Sequence, residues 1–281
     1  MTSIYRSEEG HAAARDWCLR RLATVEAPHE LRDLDTRLGD TSVTVFEGEA
    51  PTVVLLPGTN FNTASWIEVA TTLAAQHRVV SVDLPGQPGL SSPQRHRHSY
   101  DLYGIWLAKL LEQLAVGPCI LVGHSLGARV ALAGCVHIPG AKAVVALDPA
   151  GIIRLRVGAG MLATSGRWLR RKDDERSRAL LAKMMAPGAT VPDELVEWMT
   201  IVARHVRTTL APPQLPPARL RQIAIPVHVL SGESDVFLPQ RPLRRGARKI
   251  RNAKVSWVEN AGHLMPMEHP EVVARAVSAL V

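Results

Sequence analysis

The sequence predicts an α/β protein built on a mostly parallel, doubly wound sheet of about eight strands, with helices on both faces and one helical insertion. Three observations predict it. Short, mostly apolar runs recur at Thr52–Leu56, Arg78–Val82, Cys119–Val122, Ala143–Leu147 and Val227–Leu230, with another near 254–258. Strands of a parallel sheet read this way because neither face meets water. Helical stretches at about 63–76, 99–115, 125–137, 240–249 and 270–281 separate these runs, so strand and helix alternate. From about 152 to 222 the alternation stops and only helical segments follow, carrying Met161, Trp168, Leu180, Met184, Trp198 and Met199.

Ahead of the alternating region, residues 7–26 place Ala13, Trp17, Leu22 and Val25 near helical spacing among charged residues, as an amphipathic helix does. Arg32–Leu38 and Ser42–Phe46 alternate apolar and polar residues, the pattern of half-buried strands, and Leu38-Gly39-Asp40 supplies a turn. The insertion ends in APPQLPPAR, residues 211–219, whose four prolines forbid regular helix and suit a hinge back to the sheet. The expected organisation is therefore an N-terminal helix and first part of the core over 1–151, a helical cap over 152–222, and the rest of the core over 223–281.

Composition narrows the function. With 46% hydrophobic and 21% charged residues, the chain is an ordinary globular protein, neither disordered nor fibrous. Its longest apolar runs are four or five residues, whereas a membrane span needs about 20. The first ten residues, MTSIYRSEEG, lack the apolar run of a secretory signal, and three unpatterned cysteines build no disulfide framework. A cytoplasmic protein with reduced thiols is expected. The net charge of +7 concentrates in two segments: nine Lys/Arg against three Asp/Glu over 152–185, and seven against none over 241–254. Neither segment has a nucleic-acid motif, and 4% aromatics leave little for base stacking, so both read as solvated basic faces.

The strongest local signal is Leu121-Val122-Gly123-His124-Ser125-Leu126-Gly127-Ala128, in which an apolar strand runs into G-x-S-x-G and then into an Ala-rich helix. In that context the pattern is a nucleophile elbow, a tight turn that presents Ser125; the glycines sit where side chains would collide between strand and helix. A serine hydroxyl needs a base, and the base an orienting carboxylate. Both types of residue lie at strand exits in the C-terminal third: Ser231-Gly232-Glu233-Ser234-Asp235 and Asn260-Ala261-Gly262-His263. Groups beyond the carboxyl ends of parallel strands gather at one edge, so Ser125, Asp235 and His263 can meet there.

These motifs resemble the α/β-hydrolase superfamily, from about residue 33 to the end. Leu55-Leu56-Pro57-Gly58-Thr59-Asn60-Phe61 with Ser65-Trp66 is similar to the family's loop after its third strand, although Pro57 replaces the common His. By that resemblance the oxyanion donors are the main-chain amides of Thr59 and Leu126. Asp83-Leu84-Pro85-Gly86-Gln87-Pro88-Gly89-Leu90-Ser91 is similar to the family's turn after its fourth strand, with the second Gly one residue late; Asp83 there reads as a loop anchor. His263–Pro270 resembles the stretch joining the base to the last helix. The order Ser, acid, His is that of the fold.

For the acid, Asp235 is preferred, with Asp148 after the preceding strand as the alternative and Glu233 as a third carboxylate. Asn60, Trp66, Trp168 and Trp198 are candidate pocket residues. His96 and His98, among Arg95 and Arg97, read as solvated chain, His124 as packing and His269 as surface. Cys119 and Cys135 read as small apolar residues and Cys18 has no evident role. No cluster has metal-ligand spacing and no phosphate-binding glycine motif follows the first strand, so neither metal nor cofactor is expected. The implied function is a serine hydrolase acting on a carboxylic ester of a small, largely apolar molecule. The alternative is a non-hydrolytic enzyme of the same fold, or a ligand receptor using the same pocket.

Overall fold

The structure, a computed structural model, describes residues 2–95, 99–208 and 212–281. In chain order its elements are β1 (Thr2–Ser3), α1 (Glu8–Ala23), β2 (Glu30–Leu34), β3 (Thr41–Phe46), β4 (Thr52–Leu56), α2 (Ile67–Ala74), β5 (Val79–Val82), β6 (Gln94–Arg95), α3 (Ser99–Gln113), β7 (Cys119–His124), α4 (Leu126–Gly134) and β8 (Ala141–Leu147). The helical excursion follows as α5 (Ala159–Arg170), α6 (Asp174–Met184), α7 (Asp193–His205) and α8 (Pro217–Arg221). The chain closes with β9 (Val227–Gly232), α9 (Gln240–Ala247), β10 (Ala253–Val258), α10 (Met265–Glu268) and α11 (Pro270–Ser278).

The eight-stranded sheet runs in the order β10-β9-β8-β7-β4-β5-β3-β2. Strands β5, β4, β7, β8, β9 and β10 are parallel neighbours, and β3 is antiparallel to both β5 and β2. Alternate residues of the central strands enter two separate cores. Val53 and Leu55, Ile120 and Val122, and Val145 and Leu147 pack with α1, α2, α11 and the excursion, whereas Val54 and Leu56, Cys119 and Leu121, and Val144 and Ala146 pack with α3, α4 and α9. Two apolar faces per strand explain why these runs lack polar alternation. Burial keeps the Cys119 and Cys135 thiols protonated, raising them to about 11 and about 12.

Two expectations shift. Strand β2 ends at Leu34, because the Thr36 hydroxyl takes up the Leu38 amide at 3.3 Å and the Trp106 indole at 3.1 Å, turning the chain where a continuing strand was expected. Helix α1 buries Gly10, Ala14, Trp17, Cys18 and Leu22, so Ala13 is only half-buried; Trp17 stacks on Trp198 of α7 at 4.7 Å, and that contact sets the register. Residues 213–215 of the proline segment are tied to the chain leaving the sheet: Leu215 N donates to Gly151 O at 2.9 Å, Gln214 Nε2 to Ile152 O at 3.0 Å, and the buried Arg129 Nε to Pro213 O at 2.8 Å. His96, Arg97 and His98 lie outside the described residues.

Helix α4 approaches β4 closely enough that a Cβ on Gly127 would stand 1.9 Å from the Leu56 carbonyl oxygen. Gly127→Ala must therefore displace backbone and is expected to cost about 3 kcal/mol or more, whereas Gly117→Ala, open to 4 Å, should stay within about 0.5 kcal/mol. Urea unfolding of both variants checks this, and equal midpoints would show that the elbow tolerates a side chain.

Candidate active site

Ser125 occupies the single residue between β7 and α4 with φ 48° and ψ −108°, a left-handed conformation that L-residues other than glycine rarely hold. Its amide donates to Leu147 O at 2.9 Å, and its carbonyl accepts from Ala150 N at 3.1 Å. Neighbouring strand exits thereby hold the turn that sends its hydroxyl toward the later loops.

Those loops bring the other two predicted residues to it. His263 Nε2 lies 3.2 Å from Ser125 Oγ, and His263 Nδ1 lies 2.8 Å from Asp235 Oδ2. With the Nδ1 proton facing the carboxylate, Nε2 is left as the acceptor of the serine proton. The second carboxylate oxygen, Asp235 Oδ1, accepts from the amides of Phe237 at 2.7 Å and Leu238 at 3.2 Å. Burial alone would raise the Asp235 carboxyl, but the charge of His263, its hydrogen bond and the Phe237 amide outweigh that and hold it below the usual carboxylate range. The Phe237 ring meets the His263 ring edge-on at 4.7 Å. The two loops touch because a Cβ on Gly232 would lie 2.2 Å from the Gly262 carbonyl.

Asp148 and Glu233, the other candidate acids, are placed differently. Glu233 is exposed. Asp148 is fully buried, and side-chain atoms of Asp148, Asp235 and His263 lie within 4.8 Å of one another. The loop after β4 brings Gly58 against the elbow: a Cβ there would stand 2.7 Å from His124 Nδ1 and 3.5 Å from Ser125 Cβ. Asp83 is a loop anchor, its Oδ1 accepting from Thr63 N and its Oδ2 from Leu90 N, each at 2.8 Å.

The candidate pocket residues have prior engagements. Trp198 is wholly buried and its indole donates to Asn60 O at 2.8 Å, tying α7 to the loop after β4; the Asn60 amide donates to Gln87 Oε1 at 3.0 Å. Trp168 donates to Ser177 Oγ at 3.2 Å inside the α5–α6 pair, and Trp66 is buried beside the His124 ring, 6.5 Å away.

Four residues went unassigned or underrated in the sequence. Glu268 accepts from Gly262 N at 2.8 Å and from Ala186 N at 2.7 Å, while His263 N donates to Met184 O at 2.6 Å. The end of α6 is thus stitched to the loop that carries His263. Cys18 Sγ accepts from Asn62 Nδ2 at 3.3 Å, joining α1 to the loop after β4. His124, read as packing, donates its Nε2 proton to the His263 carbonyl at 2.8 Å, and His269 similarly reaches Asn260 O at 3.0 Å.

A parallel sheet whose central strand turns through a left-handed serine into a helix, with catalytic candidates at later strand exits, is the architecture of the α/β hydrolases. The chain belongs to that family, the Alpha/beta hydrolase family, whose model matches residues 53–276. Among curated relatives it is 24% identical over 260 residues to an uncharacterised carboxylesterase, nap, of Bacillus subtilis (strain 168), covering 87% of this chain and 84% of that protein. It is 26% identical over 255 residues to a 2-(acetamidomethylene)succinate hydrolase of Mesorhizobium japonicum, covering 84% and 89%. Among solved structures, carboxylesterase CesB (YbfK) of Bacillus subtilis superposes with a TM-score of 0.83 at 20% identity over 97% of this chain and 98% of the other. Among the described residues no helix is long and apolar enough to cross a membrane.

Burial, and then the charge of His263, push His124 down from 6.5 to about 3. Its neutral form is favoured on folding, so the stability it contributes is complete above about 6.5 and is lost as pH falls toward 3. Unfolding takes up one proton at His124 in that window, a slope of about 1.4 kcal/mol per pH unit. Urea unfolding at pH 6.5 and pH 5 should therefore show a pH dependence that is shallower in His124→Asn by about that amount. Identical slopes would mean His124 is protonated in the folded protein.

Proposed function

We propose that the protein is a serine hydrolase that cleaves a carboxylic ester, or a related acyl compound, of a small and largely apolar molecule through an acyl-enzyme. One observation carries this reading: the unbroken relay from Ser125 Oγ to His263 at 3.2 Å and from His263 to the buried carboxylate of Asp235 at 2.8 Å. Ser125 attacks the acyl carbon while His263 takes its proton, and Asp235 orients and stabilises the imidazolium. The main-chain amides of Thr59, which follows the Gly58 that packs against the elbow, and of Leu126, the residue after the nucleophile, receive the developing oxyanion. His263 then returns the proton to the leaving alcohol. Water repeats the sequence on the acyl-enzyme and releases the acid.

The similarity to carboxylesterases supports ester substrates. An apolar acyl pocket is supported by Met184 and Met185, which end α6 beside the His263 loop, since methionine fills irregular apolar cavities and such pockets are mostly apolar. Ser125 and His263 are each only 6% exposed, which suits a reaction shielded from bulk water.

Two measurements test the reading. Ser125→Ala should keep its fold and lose ester turnover by about 10⁴-fold, together with covalent labelling by a fluorophosphonate. Retained turnover in that variant overturns the covalent mechanism, and labelling of wild type without turnover favours a non-hydrolytic enzyme or a receptor. Medium-length acyl esters should give higher kcat/KM than acetates, each methylene contributing at most about 0.8 kcal/mol until the pocket is full. A profile that peaks at acetate overturns the apolar pocket and leaves the mechanism standing.

A further inference from the structure

Asp148 is the first residue beyond β8, with φ 41° and a completely buried carboxyl. Its Oδ1 accepts from Ser231 Oγ and from Gly232 N, both at 2.9 Å, which pins the start of the loop that carries Asp235. Its Oδ2 is buried and has no hydrogen-bond donor. The neighbouring group is another carboxyl, since Asp148 lies in one cluster with Asp235 and His263 and interacts with Asp235 side chain to side chain.

Two ionised carboxyls in such a place are unstable on two grounds. Their charges repel with little water to screen them, and an oxygen with only another acceptor before it forgoes its hydrogen bond. One proton between them removes both penalties. Its location follows from the donors each residue already has. Asp235 accepts from His263 Nδ1, Phe237 N and Leu238 N, all of which favour its ionised form. Asp148 receives donors on one oxygen only. Burial and then the Asp235 charge drive the Asp148 carboxyl well above the usual range, in keeping with that assignment.

We infer that Asp148 is a positioning residue: it stands as a neutral acid, donates its Oδ2 proton to the Asp235 carboxylate, and so fixes the group that orients His263. This rests on the Ser125–His263–Asp235 reading above. The contact adds a fourth hydrogen bond to Asp235 and anchors the acid to β8 as well as to its own loop. The geometry also explains why a carboxyl is found where an apolar residue would fit the strand exit. No other side chain of that length accepts from Ser231 and Gly232 on one atom and donates to Asp235 from the next, except asparagine.

That exception supplies the test. With an ester whose turnover is abolished by Ser125→Ala, kcat and KM are compared for wild type, Asp148→Asn and Asp148→Ala. Asparagine can make every proposed bond, so kcat should stay within about threefold; alanine should lower kcat by about 10–100-fold while KM moves less than about twofold. In infrared spectra at neutral pH, the carboxylic-acid C=O band assigned by subtracting Asp148→Asn from wild type should be present. A loss near a thousandfold in Asp148→Asn would make Asp148 an ionised participant, as triad acid or cation ligand, and overturn the inference. So would an alanine variant with wild-type kcat, or the absence of the acid band. If Asp148→Ala does not fold, the asparagine kinetics and the infrared band still decide. Turnover surviving in Ser125→Ala would instead strike the underlying hydrolase reading, and that control is read first.

Discussion

Four strands of the parallel sheet are followed by a residue with positive φ, and the site depends on two of these turns, at Ser125 and Asp148. Beyond β4, β7, β8 and β10 stand Asn60, Ser125, Asp148 and Asn260, each a non-glycine residue with positive φ, at 66°, 48°, 41° and 52°. Such conformations cost on the order of 1–3 kcal/mol each and persist only where the surroundings over-determine them. At Ser125 and Asp148 the surroundings are the strands themselves. The Ser125 amide is held by Leu147 at the end of β8, and the Asp148 amide by Leu230 in β9, each at under 3 Å. Strands β8 and β9 thus each bond the first residue beyond the preceding strand, and at Ser125 and Asp148 the chain turns sharply instead of running on. A sharp turn at that point keeps the side chain at the sheet's edge, where a neighbouring exit can reach it.

The helical excursion belongs to the same construction. Its neck is closed by Gly151, Ile152, Pro213 and Leu215; its α6 end is bonded to His263 and, through Glu268, to Gly262; its α7 is bonded through Trp198 to Asn60. The N-terminal segment adds a further tie, since Arg6 N donates to His205 O at 2.8 Å and Arg207 N to Ile4 O at 2.7 Å. The excursion therefore touches the loop after β4 and the loop that carries His263, on both sides of Ser125. Movement of α6 or α7 to admit a substrate necessarily pulls on one of them.

The fold was legible because its signals are local. Buried strands show as short apolar runs, Ser125 declares itself through Gly123 and Gly127, and Asp235 and His263 each follow a strand in the order the fold demands. What remained hidden depends on contacts between distant loops. The pairing of Asp148 with Ser231 spans 83 residues and the Trp198–Asn60 bond 138, and no spacing rule encodes either. Asp148 was noticed for its position yet weighed only as a rival to Asp235, since a sequence offers each carboxylate as charged and alone. In α1, Trp17 and Leu22 face the core as their spacing indicates, while Ala14 rather than the chemically identical Ala13 is buried, a choice that only the Trp17–Trp198 contact distinguishes. Asn60, Trp66, Trp168 and Trp198 were legible as large or polar groups near the right loops, while their hydrogen-bond partners were not.

Charge explains why so many ionisable groups can sit together in a site this dry. His124 is neutral, held by burial with its Nε2 proton on the His263 carbonyl. Asp235 is ionised and fully satisfied, and on the inference above Asp148 is neutral. The resting cluster then holds a single negative charge, and in the proposed mechanism transfer of the serine proton to His263 places one positive charge 2.8 Å from it. Were His124 protonated, a second cation beside His263 would oppose that transfer; were Asp148 ionised, a second anion would stand beside Asp235 with little water to screen it. In the proposed mechanism the two neutral neighbours thus leave Asp235 as the one charge that His263 meets when it gains and returns the proton.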